Sequence, residues 1–318
     1  PRSPLQPARG TAPDHLSKVP NTRDIRRRIK SVKNTAQITK AMQLVAASKM
    51  KKAQDQATAG RHYAAVMNRV LVNLSLNIED DAHALLEVRD GDRELVVVVS
   101  TDKGLCGGLN TNLMRRVTEE GNDSTSYVTV GKKGRGTLAR AKKDLIADFE
   151  VKDPVAFTEV KMVAQFVTDQ FLEGKIDRVR VAFTNFINTI SQEPYIATLL
   201  PISAVKLTSA RGYEGFGKDG DGVDEIYSAS EQAGGYIYEP NANAVLDDIL
   251  PHYINYQLYQ MVLEARASEH SARMVAMKNA TDNAEGMIKD LTLEYNKVRQ
   301  AAITSELLEI TTAQMALG

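Results

Sequence analysis

The ten residues Thr101-Asp-Lys-Gly-Leu-Cys-Gly-Gly-Leu-Asn110 are where chemistry is first to be sought. They follow the run Leu95-Val-Val-Val-Val-Ser100, and a glycine-rich turn between a strand and a helix commonly binds phosphate in α/β proteins. The spacing matches neither GxGxxG nor GxxxxGK followed by Ser or Thr. The lysine and hydroxyl that would reach phosphate and magnesium are therefore missing. Tight packing of the turn on a helix explains the glycines equally well. Gly131-Lys-Lys-Gly-Arg-Gly136 raises the same question and meets the same answer. Cys106 would need a neighbouring base to act as a nucleophile, and no histidine adjoins it. A small buried hydrophobe is the simpler reading of a free cysteine. As the single cysteine of the chain it excludes an internal disulfide and a cysteine zinc site. The histidines, His15, His62, His83, His252 and His270, lack paired ligand spacing, so no metal site is expected.

Basic residues dominate the segment from Arg23 to Lys52, which holds Arg26, Arg27, Arg28, Lys30 and Lys33 among others against a single acid, Asp24. Such a stripe can grip nucleic-acid phosphates. Aromatic residues for base stacking are absent from it, however, and Ile25, Ile29 and Val32 already commit one face to a partner helix. A protein surface with an acidic lining suits it better. Over the whole chain 40 basic side chains balance 40 acidic ones, so no global field draws it to nucleic acid or to a membrane. No apolar run approaches the 18 or so residues that span a bilayer.

These residues sit in elements of two kinds. From Asn21 to Asn77 there is no proline and one glycine, Gly60, and the start carries a capping Asn21 or Thr22 with Asp24 in the first turn. Steps of three and four residues pick out Ile25, Ile29, Val32, Ala36, Thr39, Gln43, Ala46, Met50, Ala53, Ala57, Gly60, Ala64, Met67, Leu71 and Leu74, a coiled-coil seam made largely of small side chains. A helix of this extent would reach roughly 80 Å, beyond the needs of one globular domain. A second such pattern begins near Ala244 and runs to Ala316, with Pro251 near its start and a seam through Met277, Ala280, Ala284, Met287, Leu291, Tyr295, Val298, Ala302, Ser305, Leu308, Thr312 and Met315. Two small-residue seams of matching length are expected to pair. Between them, Leu95–Ser100, Ser126–Val130 and Arg178–Phe183 read as strands and Lys132–Ala147 and Glu159–Glu173 as helices, an alternation that implies a mostly parallel sheet.

The expected fold is thus an α/β central domain, mostly parallel and Rossmann-like, plus a long antiparallel coiled coil made from the N- and C-terminal helices. Its parts are residues 1–20, a proline-rich disordered extension or the remnant of a targeting peptide; 21–77, the first coiled-coil helix; 78–243, the α/β domain with a Gly/Asp-rich loop at 210–235; and 244–318, the second coiled-coil helix. The aspartates of that loop lack the regular ligand positions and closing glutamate of an EF-hand.

At these residues the chain resembles the gamma subunits of rotary F-type ATP synthases. Ile25-Arg-Arg-Arg-Ile-Lys-Ser-Val-Lys-Asn-Thr-Ala-Gln-Ile-Thr-Lys-Ala-Met42 with Val45-Ala-Ala-Ser-Lys-Met50 is similar to the family's opening helix, and Ser100-Thr-Asp-Lys-Gly-Leu-Cys-Gly-Gly108 to its central turn. Ser268-Glu-His-Ser-Ala-Arg-Met274, Met277-Lys-Asn-Ala-Thr-Asp-Asn283 and Ile303-Thr-Ser-Glu-Leu-Leu-Glu-Ile310 are similar to its closing helix. The resemblance runs from about Thr22 to Met315. Thr312-Ala313-Gln314 departs from it, standing where family members often carry two glycines and an alanine.

The resemblance implies a non-catalytic central shaft, without cofactor, that couples proton flow through the membrane ring to the conformational cycle of the beta subunits and to ATP synthesis. Implied partners are the alpha and beta subunits of the catalytic hexamer, an epsilon or delta subunit and the membrane c-subunit ring, with no nucleic acid and no direct bilayer insertion. Contacts with the beta-subunit catch carry over to Met42, Arg273, Gln300 and Thr304, and the foot on the membrane ring to Tyr236, Tyr238 and Glu239. Arg273→Ala is expected to weaken coupling more than stability, as an exposed contact would. The implied location is peripheral, on the cytoplasmic face of a bacterial inner membrane or, alternatively, the matrix side of the mitochondrial inner membrane. Two rivals stand beside this reading: a nucleotide-binding α/β enzyme, which equilibrium dialysis with ATP or NAD would detect, and a DNA-binding coiled coil, which would bind duplex with steep salt dependence.

Overall fold

The computed structural model describes residues 21–75, 83–122, 124–202 and 238–317. Two compact units divide the chain, Pro1–Ile38 with Ala280–Gly318, and Thr39–Asn279. In order the elements are α1 (Thr22–Ser75), β1 (Glu94–Val99), α2 (Leu109–Glu120), β2 (Thr125–Val130), α3 (Lys132–Arg140), β3 (Asp144–Phe149), α4 (Phe157–Leu172), β4 (Arg178–Phe186), β5 (Gln192–Leu200) and α5 (Ala242–Leu317). The extension at residues 1–20 and the loop at 210–235 lie outside the described residues.

The α/β domain is in the unit Thr39–Asn279. Its five strands run in the order β3-β2-β1-β4-β5, with β1, β2, β3 and β4 parallel and β5 antiparallel to β4. β1 lies at the centre because all six of its residues are buried and so need cover on both faces. Leu95, Val97 and Val99 point into a core shared with α4 and with parts of α1 and α5; Val96 and Val98 point into a smaller core under α2 and α3. The mostly parallel sheet between layers of helix agrees with the sequence reading.

Two strands depart from it. The pattern read as a helix from Lys132 to Ala147 stops at Arg140, and Asp144–Phe149 is a strand. That segment, Asp-Leu-Ile-Ala-Asp-Phe, alternates exposed with half-buried residues on a sheet edge, a weak period-two signal that the preceding helix pattern masks. β5 carries Pro194, which is tolerated because the strand stands at the other edge.

Along α1 the expected seam holds: each seam residue whose side chain is described is buried or half-buried, from Ile25 to Leu74. The α1–α5 pairing is antiparallel in the unit Thr39–Asn279, where Gly60 meets Tyr256 and Lys49 and His270 meet at Asp153. In α5 the seam shifts. Thr281 and Ile288 take the inward places expected of Ala280 and Met287, and Met287 is exposed. In the other unit Ile25, Ala284 and Leu291 are buried, and the Arg26 guanidinium donates to the Tyr295 hydroxyl at 3.3 Å while lying over its ring. Among the described residues α1 starts at Thr22 and nothing faces α5 beyond about Gln300, so residues 301–316 are exposed. Ala302, Ser305, Leu308, Thr312 and Met315 therefore do not form the buried seam that their spacing suggests.

Candidate functional site

The turn after β1 spends its polar groups on itself. Thr101 Oγ1 donates to the Lys103 carbonyl at 2.7 Å, and the Asn110 amide donates to Thr101 Oγ1 at 2.8 Å and to Cys106 Sγ at 3.4 Å. Leu105 and Gly107 both have positive φ, 65° and 60°, and make the sharp bend. The second glycine motif packs on the first turn. A β-carbon at Gly131, whose φ is 102°, would stand 2.3 Å from the Ser100 carbonyl oxygen, and one at Gly134 would stand 2.8 Å from Ser100 Oγ. The backbone donors that open α3 are also taken: Lys132 N–H donates to Asp102 Oδ1 at 3.1 Å and Lys133 N–H to the Thr101 carbonyl at 3.0 Å. An aspartate of the chain thus stands where a helix N-terminus would hold an external anion. Burial pushes the Cys106 thiol up, Arg273 offsetting only part of this, which favours the thiol over a nucleophilic thiolate.

In open α/β sheets ligands bind at the carboxyl ends of the strands, where the strand order reverses. Here that place, beside the ends of β1 and β4, is met by one face of α5. From Met261 to His270 every residue of α5 is buried. Arg266 donates to the Val151 carbonyl at 2.6 Å, to Asp102 Oδ2 at 3.3 Å and to Glu269 Oε2 at 2.8 Å. Arg273 donates to Glu269 Oε1 at 2.8 Å and to the carbonyls of Lys103 and Gly104 at 3.3 Å. Ser268 donates to the Thr184 carbonyl at 2.9 Å, beyond β1 on the far side of the reversal. Burial works against the Arg266 charge, but Glu269, Asp102 and Asp153 more than restore it. A second chain links both terminal helices to the loop after β3, since Asp153 Oδ2 accepts from Lys49 Nζ at 2.7 Å and lies 3.1 Å from His270 Nε2. His270 holds the Asp153 carboxyl well below the usual carboxylate range, against the opposing effect of burial, and Lys49 adds to this.

Of the residues expected to touch partners, Met42 is half-buried on α1 and Arg273 lies in the network above; both belong to the unit Thr39–Asn279. The Arg273 side chain is 11% exposed, which corrects the expectation of an exposed contact. Gln300 and Thr304 are exposed one helical turn apart in the other unit, where the Thr304 hydroxyl donates to the Gln300 carbonyl at 2.9 Å. Tyr238 is half-buried against the larger core and Glu239 is exposed, whereas Tyr236 lies outside the described residues. Asp102, Asp153, Arg266, Glu269 and His270 were not singled out as a site. Their only signal is four charged or titratable residues, Glu264, Arg266, Glu269 and His270, in a helix segment otherwise apolar enough to be buried. Among the described residues no cluster of His, Cys, Asp and Glu could hold a metal, and no helix is long and apolar enough to cross a membrane.

A doubly wound sheet whose strand-end crevice is partly filled by the chain's own closing helix, itself paired with the opening helix, defines a class of scaffold built on its terminal helices. Comparison with known proteins gives the family. A family model described as ATP synthase matches residues 21–317. The ATP synthase gamma chain of Opitutus terrae is 50% identical over 296 residues, covering 93% of this chain and 98% of the relative. That of Akkermansia muciniphila is 48% identical over 93% of this chain and 99% of its own. The chain belongs to the ATP synthase gamma chain family. Among solved structures, the rotor of the Euglena gracilis mitochondrial ATP synthase is similar in fold, with a TM-score of 0.60 at 21% identity over 89% of this chain and 98% of that one. A chain of the Tetrahymena thermophila mitochondrial ATP synthase central stalk and c-ring gives a TM-score of 0.55 at 26% identity over 76% and 99%.

Proposed function

We propose that this chain is the central rotor shaft of an F-type ATP synthase, non-catalytic itself, which couples proton flow through the membrane ring to the conformational cycle of the beta subunits. The observation that carries the reading is the end of α5. Residues 301–316 are exposed all round and include Ile303, Leu307, Leu308, Ile310 and Met315, each at least 49% exposed. At about 100° per residue these side chains gather on one half of the helix, and an exposed apolar stripe of this kind needs a partner surface. The alpha–beta hexamer supplies such a surface. Gln300 and Thr304 begin this stretch and, with Met42 and Arg273, are the proposed catch contacts; Tyr236, Tyr238 and Glu239 are the proposed foot on the c-ring, beside the epsilon or delta subunit.

Physically, the shaft acts as a ligand with different affinity for the open and closed beta subunits, and only that difference can move their equilibrium. The gamma chains of Opitutus terrae and Akkermansia muciniphila come from bacteria, which supports a peripheral position on the cytoplasmic face of a bacterial inner membrane. Reconstitution tests the proposal: adding the chain to an alpha–beta hexamer and membrane sector should restore proton-driven ATP synthesis, while the isolated chain hydrolyses nothing. Coupling that survives removal of residues 300–318 together with disruption of the first turns of α1 would overturn it.

A further inference from the structure

Resting on that reading, we propose that Asp153 is a positioning residue for coupling: through Lys49 its carboxylate ties α1 to a loop of the α/β domain that α5 also holds, and so sets the rotation of α1 on the sheet. The loop is itself fixed. Val151 and Val155, on either side of Asp153, are buried in the larger core, and the Val151 carbonyl accepts from Arg266 of α5. From this base the Asp153 side chain, 30% exposed, accepts a hydrogen bond from Lys49 of α1 at 2.7 Å, and its oxygen stands 3.1 Å from His270 Nε2 of α5 without the geometry of a hydrogen bond.

What the helices present to one another nearby explains why such a pin is needed. Ala46, Ala53 and Ala57 are buried on the seam of α1, and surfaces made of methyl groups are smooth. They allow close approach but resist rolling poorly, since dispersion contacts are weak one by one and have no preferred direction. Charge-assisted hydrogen bonds are directional and short. The Tyr256 hydroxyl, which donates to the Gly60 carbonyl, joins the two helices to each other, whereas Arg266, Ser268 and Arg273 tie α5 to the sheet. Asp153 meets α1 from the sheet side beside these α5 ties, so torque applied to the α/β domain reaches α1 there through Lys49.

The test uses the reconstituted complex carrying Asp153→Asn, Asp153→Glu, Lys49→Gln or the Lys49→Gln/Asp153→Asn pair. ATP hydrolysis, proton-driven ATP synthesis and the angular fluctuation of the rotor in single molecules are measured beside the melting temperature of each chain. Asp153→Asn should lower synthesis several-fold and widen the angular spread about twofold while hydrolysis stays within about twofold, and the double variant should be no worse than Asp153→Asn, because the two residues share one contact. Asp153→Glu should recover part of the loss. Synthesis and angular spread unchanged in Asp153→Asn, in a complex that the unaltered chain couples normally, would overturn the proposal. Losses that affect hydrolysis and synthesis equally, follow the melting temperature and are not eased by glutamate would reduce Asp153 to a structural residue and overturn it too. An unaltered chain that restores no coupling would instead overturn the rotor reading, and this proposal with it.

Discussion

Ser100 Oγ accepts the Gly134 amide at 2.8 Å and leaves no room for a side chain there; the Ser100 carbonyl does the same at Gly131. Gly131→Ala combines that clash with a φ of 102° and should cost about 2–4 kcal/mol, whereas Gly107→Ala, at a φ of 60° with open space around it, should cost only about 1 kcal/mol. Urea midpoints of the two variants check the contrast, and equal losses would refute it. Asp153 supplies a pH signature. Because its folded pKa lies below the ordinary aspartate value of about 3.9, its stabilisation is complete above that value and is lost as acidification approaches the folded pKa. Asp153→Asn should therefore flatten the acid limb of the stability curve below about pH 4, measured by urea unfolding against pH. Arg273→Ala removes a donor to Glu269 and two turn carbonyls, and should cost about 1–3 kcal/mol of stability besides its effect on coupling. An unchanged unfolding midpoint would contradict this. Apart from the helical pair Glu269–Arg273, four residues apart, these contacts are not legible in the sequence alone, since Arg266 reaches Asp102 across 164 residues and Val151 across 115. Residue type announces that a charge exists; only the fold brings its partner.

At the scale of elements, periodicity was informative wherever one partner ran the whole length. The α1 seam could be read because each of its described side chains is buried or half-buried. Its counterpart on α5 could not, because α1 ends and the covering face ends with it. β1 was plain because burial on both faces demands an unbroken apolar run, while β3, covered unevenly at an edge, leaves a pattern that a helix can imitate. The close approach at Gly60 is the element-scale test. A β-carbon there would lie 2.4 Å from the Tyr256 hydroxyl oxygen and 2.7 Å from the Gln260 amide nitrogen. Gly60→Val should force the pair apart and cost about 1–3 kcal/mol, visible as a lower melting temperature. A variant that melts with the unaltered chain would show that the contact yields freely.

For the whole molecule, stability and function should separate. Removing residues 301–317 deletes surface that buries almost nothing, so the melting temperature of the isolated chain should move by less than about 2 °C while coupled ATP synthesis collapses. A large drop in melting temperature would mean that the segment folds back on its own chain. The opposite arrangement holds at the sheet. Part of its strand-end mouth is taken by α5, which the chain itself carries, while an open cavity remains beside it between Cys106–Leu109, Ile190–Gln192 and α5; a tethered occupant competes at an effective concentration that no dilution lowers. A nucleotide-binding relative with this architecture would fill and empty that mouth as metabolite levels change. Where α5 lies, occupancy is constant, so a small molecule aimed at that part of the crevice would first have to displace a helix.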